Sequence, residues 1–251
     1  MIQKISREFF FERVYHDTES FMSSIQNNDL YVIKNYFSQT FIDEFFGVLK
    51  KFRESTPPSW HPCLDGCPDY HRINDEYPKS YVKAKMHSYY FHRWNALKDI
   101  FEPFKELFEV KNFLGGLPKN SFYNSIPSEG VISRILSHQY PKGGGYLNEH
   151  ADPVNPFSKI QTLIMATTYG KDYKKGGLFI HETGKKELTM LDHFGDAGDI
   201  FILSPHVSHG VAPVDSDEPL NWESTAGRWM ITPMIIRSDY NQDPNTKPRE
   251  L

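Results

Sequence analysis

Beyond Gly130 the chain is written in short apolar runs of β type, broken by glycine, proline and aspartate. No other feature narrows its possible folds as much. The runs are Val131 to Tyr140, Ile160 to Thr168, Gly177 to His181, Glu187 to Leu191, Asp199 to Leu203, Ser208 to Val214 and Gly227 to Ile236. Short strands separated by turn residues predict a sandwich or barrel rather than a βαβ array. Single all-β domains reach 251 residues, so the length demands no division.

The half before Gly130 reads differently. Leu30 to Ile33 is strand-like. Phe41, Phe45, Leu49 and Phe52 recur at helical spacing behind Ser38, a good N-cap. Residues 57–81 are loop-like. A second helical region runs from about Trp94 to Leu114 on a stripe of Leu97, Phe101, Phe104 and Phe108. Pro103 must kink or restart it, and Gly115 and Gly116 stop it. The expectation is therefore a helix-rich support over residues 1–128, a β core over 129–240 and a polar tail over 241–251, forming one structural domain. The helices are expected to pack on one outer face and leave a barrel mouth open for chemistry.

Nineteen phenylalanines and fourteen tyrosines supply a substantial core. A formal net charge of −4 gives no basic footprint, which argues against a nucleic-acid binder. The N-terminal residues mix charges with apolar side chains and lack the apolar core of a signal peptide. No apolar run approaches the roughly 20 residues needed to span a bilayer. These features predict a cytoplasmic location with no membrane partner, and they set no oligomeric state. The two cysteines, Cys63 and Cys67, lie between His61 and His71 and invite a zinc reading. The four side chains crowd into one short loop at non-standard spacing, so two ordinary thiols are the favoured reading.

The segment from Tyr140 to Pro153, YPKGGGYLNEHADP, carries the chemistry. In extended chain, positions i and i+2 project to the same side, so His150 and Asp152 can offer an imidazole and a carboxylate to one ion. Pro153 keeps Asp152 extended. A second imidazole, His209, arrives in SHGVAPV on a strand able to close the barrel beside this pair. Two histidines and one carboxylate on one face of a metal leave positions open, a geometry suited to iron(II). His206 lacks the residues that follow His209. His138, His181 and His193 have no carboxylate at metal-binding spacing, and they read as exposed or hydrogen-bonded strand and turn residues. By period two, however, His138 and Arg134 share the strand face of Tyr140 and can reach into the barrel.

In order, these pieces and their surroundings resemble the 2-oxoglutarate/iron(II) dioxygenases, particularly the prolyl-hydroxylase-like branch. The matching features are YPKGGGY before His150 and Asp152, KGGLF at residues 175–179, DAGDIFIL at 196–203, the segment around His209, and Gly227 with Arg228 opening the last strand. The match spans roughly residues 131 to 237. The resemblance implies a mainly β fold with supporting helices, built on a double-stranded β-helix (a jelly-roll, cupin-like core). It implies His150, Asp152 and His209 as ligands of Fe(II), and Arg228 as partner of the distal carboxylate of 2-oxoglutarate through two parallel hydrogen bonds. Tyr140 would add a hydroxyl to that carboxylate, and Tyr146 would sit nearer the iron against substrate; Arg134, placed on the Tyr140 face by period two, is a substrate-anchor candidate beside them. Arg228 follows His209 at a longer spacing than the family usually shows, because residues 215–225 read as an inserted loop. Arg237 is the fallback anchor, and Thr232 a further co-substrate contact.

The implied reaction consumes O2, converts 2-oxoglutarate to succinate and carbon dioxide, and hydroxylates a C–H bond. A carboxylate at Asp152 favours hydroxylation over halogenation, while desaturation, ring closure and demethylation remain open. The expected substrate is a small molecule. The alternatives are a protein side chain, or a cupin-like metal-binding module without turnover. A metal-dependent isomerase or hydrolase would have no use for Arg228 and Tyr140 together. The loops at residues 57–81 and 215–225 are expected to shape the mouth.

Overall fold

Alternation of apolar and polar side chains after Gly130 does produce strands, and they curl into two facing layers. The computed structural model describes residues 2–58, 70–74, 82–93, 100–181 and 187–238. Its elements are β1 (Ile2–Ile5), α1 (Arg7–His16), α2 (Thr18–Gln26), β2 (Leu30–Ile33), α3 (Gln39–Ser55), β3 (Tyr70–Ile73), β4 (Ala84–His92) and α4 (Lys105–Leu114). The β-rich half follows with β5 (Val131–Pro141), β6 (Gly145–His150), β7 (Gln161–Met165), β8 (Gly177–His181), β9 (Thr189–Met190), β10 (Ile200–Leu203), β11 (Ser208–Val214) and β12 (Gly227–Arg237). The cysteine pair with His61, the helix start at Trp94 and Leu97, and the tail from residue 241 lie outside the described residues.

Hydrogen bonding runs β1-β2-β10-β7-β12-β5-β4 in one layer and continues β4-β6-β11-β8-β9 in the other, with β3 flanking β4. Strand β4 belongs to both, since Ala84 and Lys85 pair with β6 while His87 to His92 pair with β5. The inner faces enclose a core that draws Tyr140, Met165 and Met230 from one layer and Leu178, Ile180 and Val211 from the other. The outer face of the larger layer, with Ile164, Trp229 and Ile231, packs against Phe10, Phe45 and Phe104 of the helical half. This is the expected jelly-roll with helices on one face.

Several helical signals act as read. Ser38 accepts a hydrogen bond from Phe41 N at the start of α3, and α4 begins after a 3-10 turn centred on Pro103. Gly115 ends α4, and Gly116 is left-handed at φ +70. Other parts differ. The N-terminal half contributes β1 to β4 to the sheets and so is more than a helical support. Helix α1 escapes the periodicity reading because Phe9, Phe10 and Phe11 in succession blur any single apolar stripe, and the short α2 that follows it was not read either. The region read as a loop over 57–81 contains β3, and the run from Glu187 shrinks to β9 and a 3-10 turn at Leu191–Phe194.

Strand direction fixes which end of the barrel is closed. The β5–β6 turn lies at one end, and Val214 pairs with Gly145 and Gly227 with Pro141 at that same end. Residues 215–225 therefore cover the closed end and do not shape the mouth. The contact is close, since a Cβ on Gly143 would lie 2.4 Å from the Cα of Leu220.

Candidate functional site

Strand pairing assembles a candidate metal centre. His209 on β11 is the registered partner of His150 on β6, so the two imidazoles face each other with centroids 4.5 Å apart. Two residues on, Asp152 leaves the strand with its N–H donated to Pro205 O at 2.9 Å. Its carboxylate lies 3.9 Å from His150 Nε2 and 3.6 Å from His209 Nε2. One ligand atom from each of the three lies within 4.8 Å of the others.

Both imidazoles are held in one tautomer. His150 Nδ1 donates to Asn148 O at 2.9 Å and His209 Nδ1 to Val207 O at 2.8 Å, because a carbonyl can only accept. Each Nε2 therefore presents its lone pair to the centre, the arrangement in which a protein orients histidines for a metal. Burial, then the neighbouring His150, holds His209 below its usual pKa and keeps it neutral. Gln161 Nε2 donates to Asp152 Oδ2 and fixes the carboxylate. Two histidines, one carboxylate and a clustered donor set fit a divalent transition metal.

Deeper in the barrel, Arg228 on β12 pairs in register with Tyr140 on β5, next to the closed end. Both are fully buried. Arg228 Nε and Nη2 donate to Asp192 Oδ2 and Oδ1 at 2.7 and 3.1 Å, so a protein carboxylate takes the two parallel bonds expected of a ligand. Its Nη1 is buried without a hydrogen-bond partner among the described residues. Burial opposes the charge on Arg228, but Asp192 outweighs it and raises the pKa. An unpartnered N–H donor in an enclosed space fits the acceptor oxygen of a ligand there.

Between arginine and metal centre lies His138, also on the inner face of β5. Its Nδ1 is 3.3 Å from Tyr140 Oη, and Nε2 has no partner among the described residues. Burial, with Arg228, Arg134 and His150 nearby, pushes its pKa down to about 3. Its spacing to carboxylates spoke against a ligand role, while period two put it on the Tyr140 face, and its buried ring beside the Tyr140 hydroxyl agrees with both. Thr232 Oγ1 is likewise buried and unpartnered, and alternation along β12 puts it on the Arg228 face. Arg134 sits toward the open end with its guanidinium 4.9 Å from the Tyr90 ring centroid.

Tyr146 is not part of this cavity. Its pairing partner is Lys85, and its side chain lines a groove with Phe179, Ala212 and Pro213 on the outer surface. The cause is a register shift, in which Val211 pairs with Leu147 while His209 pairs with His150. The extra residue on β6 turns Leu147 inward and Tyr146 outward. His206, His193 and Arg237 are exposed, and His181 bonds Glu149 at 2.9 Å, so none enters the site. Asp192 and Gln161 were invisible in the sequence, since each acts through a partner remote in the chain.

Solved structures share this fold. A protein from Caulobacter crescentus assigned to the 2OG-Fe(II) oxygenase family is 14% identical, with 94% of this chain and 86% of that chain covered at a TM-score of 0.57. A prolyl hydroxylase from Trichoplax adhaerens, in complex with a hypoxia-inducible-factor peptide, is 15% identical over 92% and 93% at 0.52. JOX2, in complex with 2OG, Fe and JA, is 11% identical over 94% and 75% at 0.51. No family model and no curated sequence matches the chain. Among the described residues no helix is long and apolar enough to cross a membrane.

Proposed function

We propose that this chain is an Fe(II)- and 2-oxoglutarate-dependent dioxygenase that hydroxylates a small-molecule substrate. The observation that carries the reading is the pairing, inside one barrel, of a tautomer-fixed His150, Asp152 and His209 centre with a buried arginine that keeps one nitrogen unsatisfied. The likeness to oxygenases of the same fold supports it. When bound, the ferrous ion and ketoacid supply the oxidising power, activating O2 as the ketoacid loses carbon dioxide and becomes succinate.

The chain's own residues bind, orient and exclude water. His150, Asp152 and His209 would hold the metal, with Gln161 keeping the carboxylate aimed. Arg228 Nη1 and the Tyr140 hydroxyl would take the distal end of the ketoacid, while Thr232, four residues along β12, would face the end nearer the opening. Neutral His138 lines the path between without adding charge. Arg134, toward the open end, would meet a polar group of the substrate. Apolar neighbours such as Met165, Leu178 and Val211 keep the interior dry, which strengthens each polar contact.

Succinate release dependent on iron and 2-oxoglutarate tests the reaction. His150→Ala or Asp152→Ala should abolish it with the circular dichroism of the fold retained. Full release by either variant would sink the assignment. The same chemistry on a protein side chain is the alternative, prompted by the neighbour in complex with a peptide. Mass spectrometry of a metabolite extract, watching for gain of one oxygen atom, separates the two.

A further inference from the structure

Asp192 is 1% exposed and saturated with donors. Besides the two bonds from Arg228, its Oδ2 accepts from Tyr173 Oη at 2.5 Å and from Leu178 N at 2.8 Å. The backbone makes room for it, because Gly177 sits at φ +111 and a Cβ there would lie 2.2 Å from Asp192 Oδ2. This acid is thus locked against the arginine from three sides.

The consequence is electrostatic. With Nε and Nη2 committed to Asp192, only Nη1 remains for a ligand, and the cation and carboxylate already cancel. A second carboxylate arriving at Nη1 would carry net negative charge into a space walled by Met165 Sδ, 3.6 Å from Nη2, and by the Tyr140 ring. Desolvating that carboxylate is costly when no free countercharge awaits it. A neutral carbonyl loses far less hydration and can still accept the Nη1 hydrogen bond.

We propose that Asp192 is a positioning residue that sets co-substrate specificity: by neutralising Arg228 it makes the deep end of the barrel nearly indifferent to charge on the ketoacid's tail. Neutral-tailed 2-oxo acids are then accepted alongside 2-oxoglutarate. This rests on the ketoacid reading of the site given above. Tyr173 and Gly177 serve the same end by holding the acid in place.

Calorimetric titration of the full chain loaded with Zn(II), a redox-silent stand-in, tests it with 2-oxoglutarate and with 2,5-dioxohexanoate, whose methyl ketone replaces the distal carboxylate. The wild-type dissociation constants should lie within about tenfold of each other, well short of the discrimination a dedicated polar site achieves. Asp192→Asn frees the guanidinium charge and should raise the preference for 2-oxoglutarate at least about tenfold over wild type, a change of ratio that mere loosening of the fold would not produce. A wild-type preference for 2-oxoglutarate above tenfold, or an unchanged ratio in the variant, overturns the role of Asp192 while leaving the ketoacid site intact. Binding of neither acid by the wild type overturns both readings. Should Asp192→Asn fail to fold, the wild-type ratio decides alone.

Discussion

Single side chains around the metal centre act through hydrogen bonds that can be removed one at a time. Gln161 is the clearest case, because its amide touches a ligand oxygen and no metal position. Gln161→Leu should weaken metal affinity by about 10–100-fold, the usual cost of losing such a partner, with the unfolding transition little changed. Competition with a chelating dye measures this, and wild-type affinity in the variant would show that Asp152 needs no brace. His138 makes a second prediction, one of sign. Its pKa falls from an unfolded value of about 6.5 to about 3 in the fold, because burial and nearby cations disfavour the charged ring. The unfolded chain therefore binds the extra proton below about pH 6.5. The stability tied to neutral His138 is complete above that pH and drains away as pH falls toward 3. In metal-free protein, wild type should lose about 1.4 kcal/mol per pH unit more than His138→Gln across this window. Urea unfolding at several pH values checks it, and parallel slopes would refute it.

Among the elements, β6 and β8 show what a linear pattern reveals and what it hides. The clustering of His150, Asp152 and His209 was legible because the first two are near neighbours and the third sits in a distinctive strand. The inward position of Arg228 was legible despite the inserted loop because Gly227 and Arg228 mark the start of the last strand, which the structure pairs with Pro141 and Tyr140. Tyr146 was misplaced because alternation assumes an unbroken strand, and one extra residue in β6 reverses its face. Asp192 could not be foreseen, since an acid after a short apolar run looks like any turn residue until Arg228 folds onto it from 36 positions away. The same contact makes β8 sensitive to its first residue. Gly177→Ala meets both a left-handed backbone and the Asp192 carboxylate, whereas Gly170→Ala at φ +84 has nothing within 4 Å of the new methyl. Chemical denaturation should show a loss of about 1 kcal/mol for Gly170→Ala and at least about 2 kcal/mol more for Gly177→Ala. Equal losses would mean that Asp192 can move aside.

The division into a supporting half and a β core describes the sequence better than it describes the physics of the fold. Strand β2, from the first half, pairs with β10 of the second, and β4 is the strand through which the two layers join. Asp199 accepts hydrogen bonds from Asn35 N and Asp196 N at 2.7 Å each and pairs with Lys34, tying β10 to the segment after β2. The outer face of the larger layer is covered by Phe10, Phe21, Phe45, Phe101, Phe104 and Phe108, all from before Gly130. Each buried phenylalanine contributes about 1.5–3 kcal/mol, so their combined loss is comparable to the whole margin of roughly 5–15 kcal/mol by which domains remain folded. It would also leave the edges of β10 and β5 unpaired and open to aggregation. Residues 129–240 expressed alone should therefore show no cooperative thermal transition and no Zn(II) affinity, although every proposed metal ligand is present. Circular dichroism melting with metal titration of the fragment beside the full chain provides the comparison. A fragment that melts cooperatively and binds the metal as tightly as the full chain would mean that the β-helix is an independent domain after all.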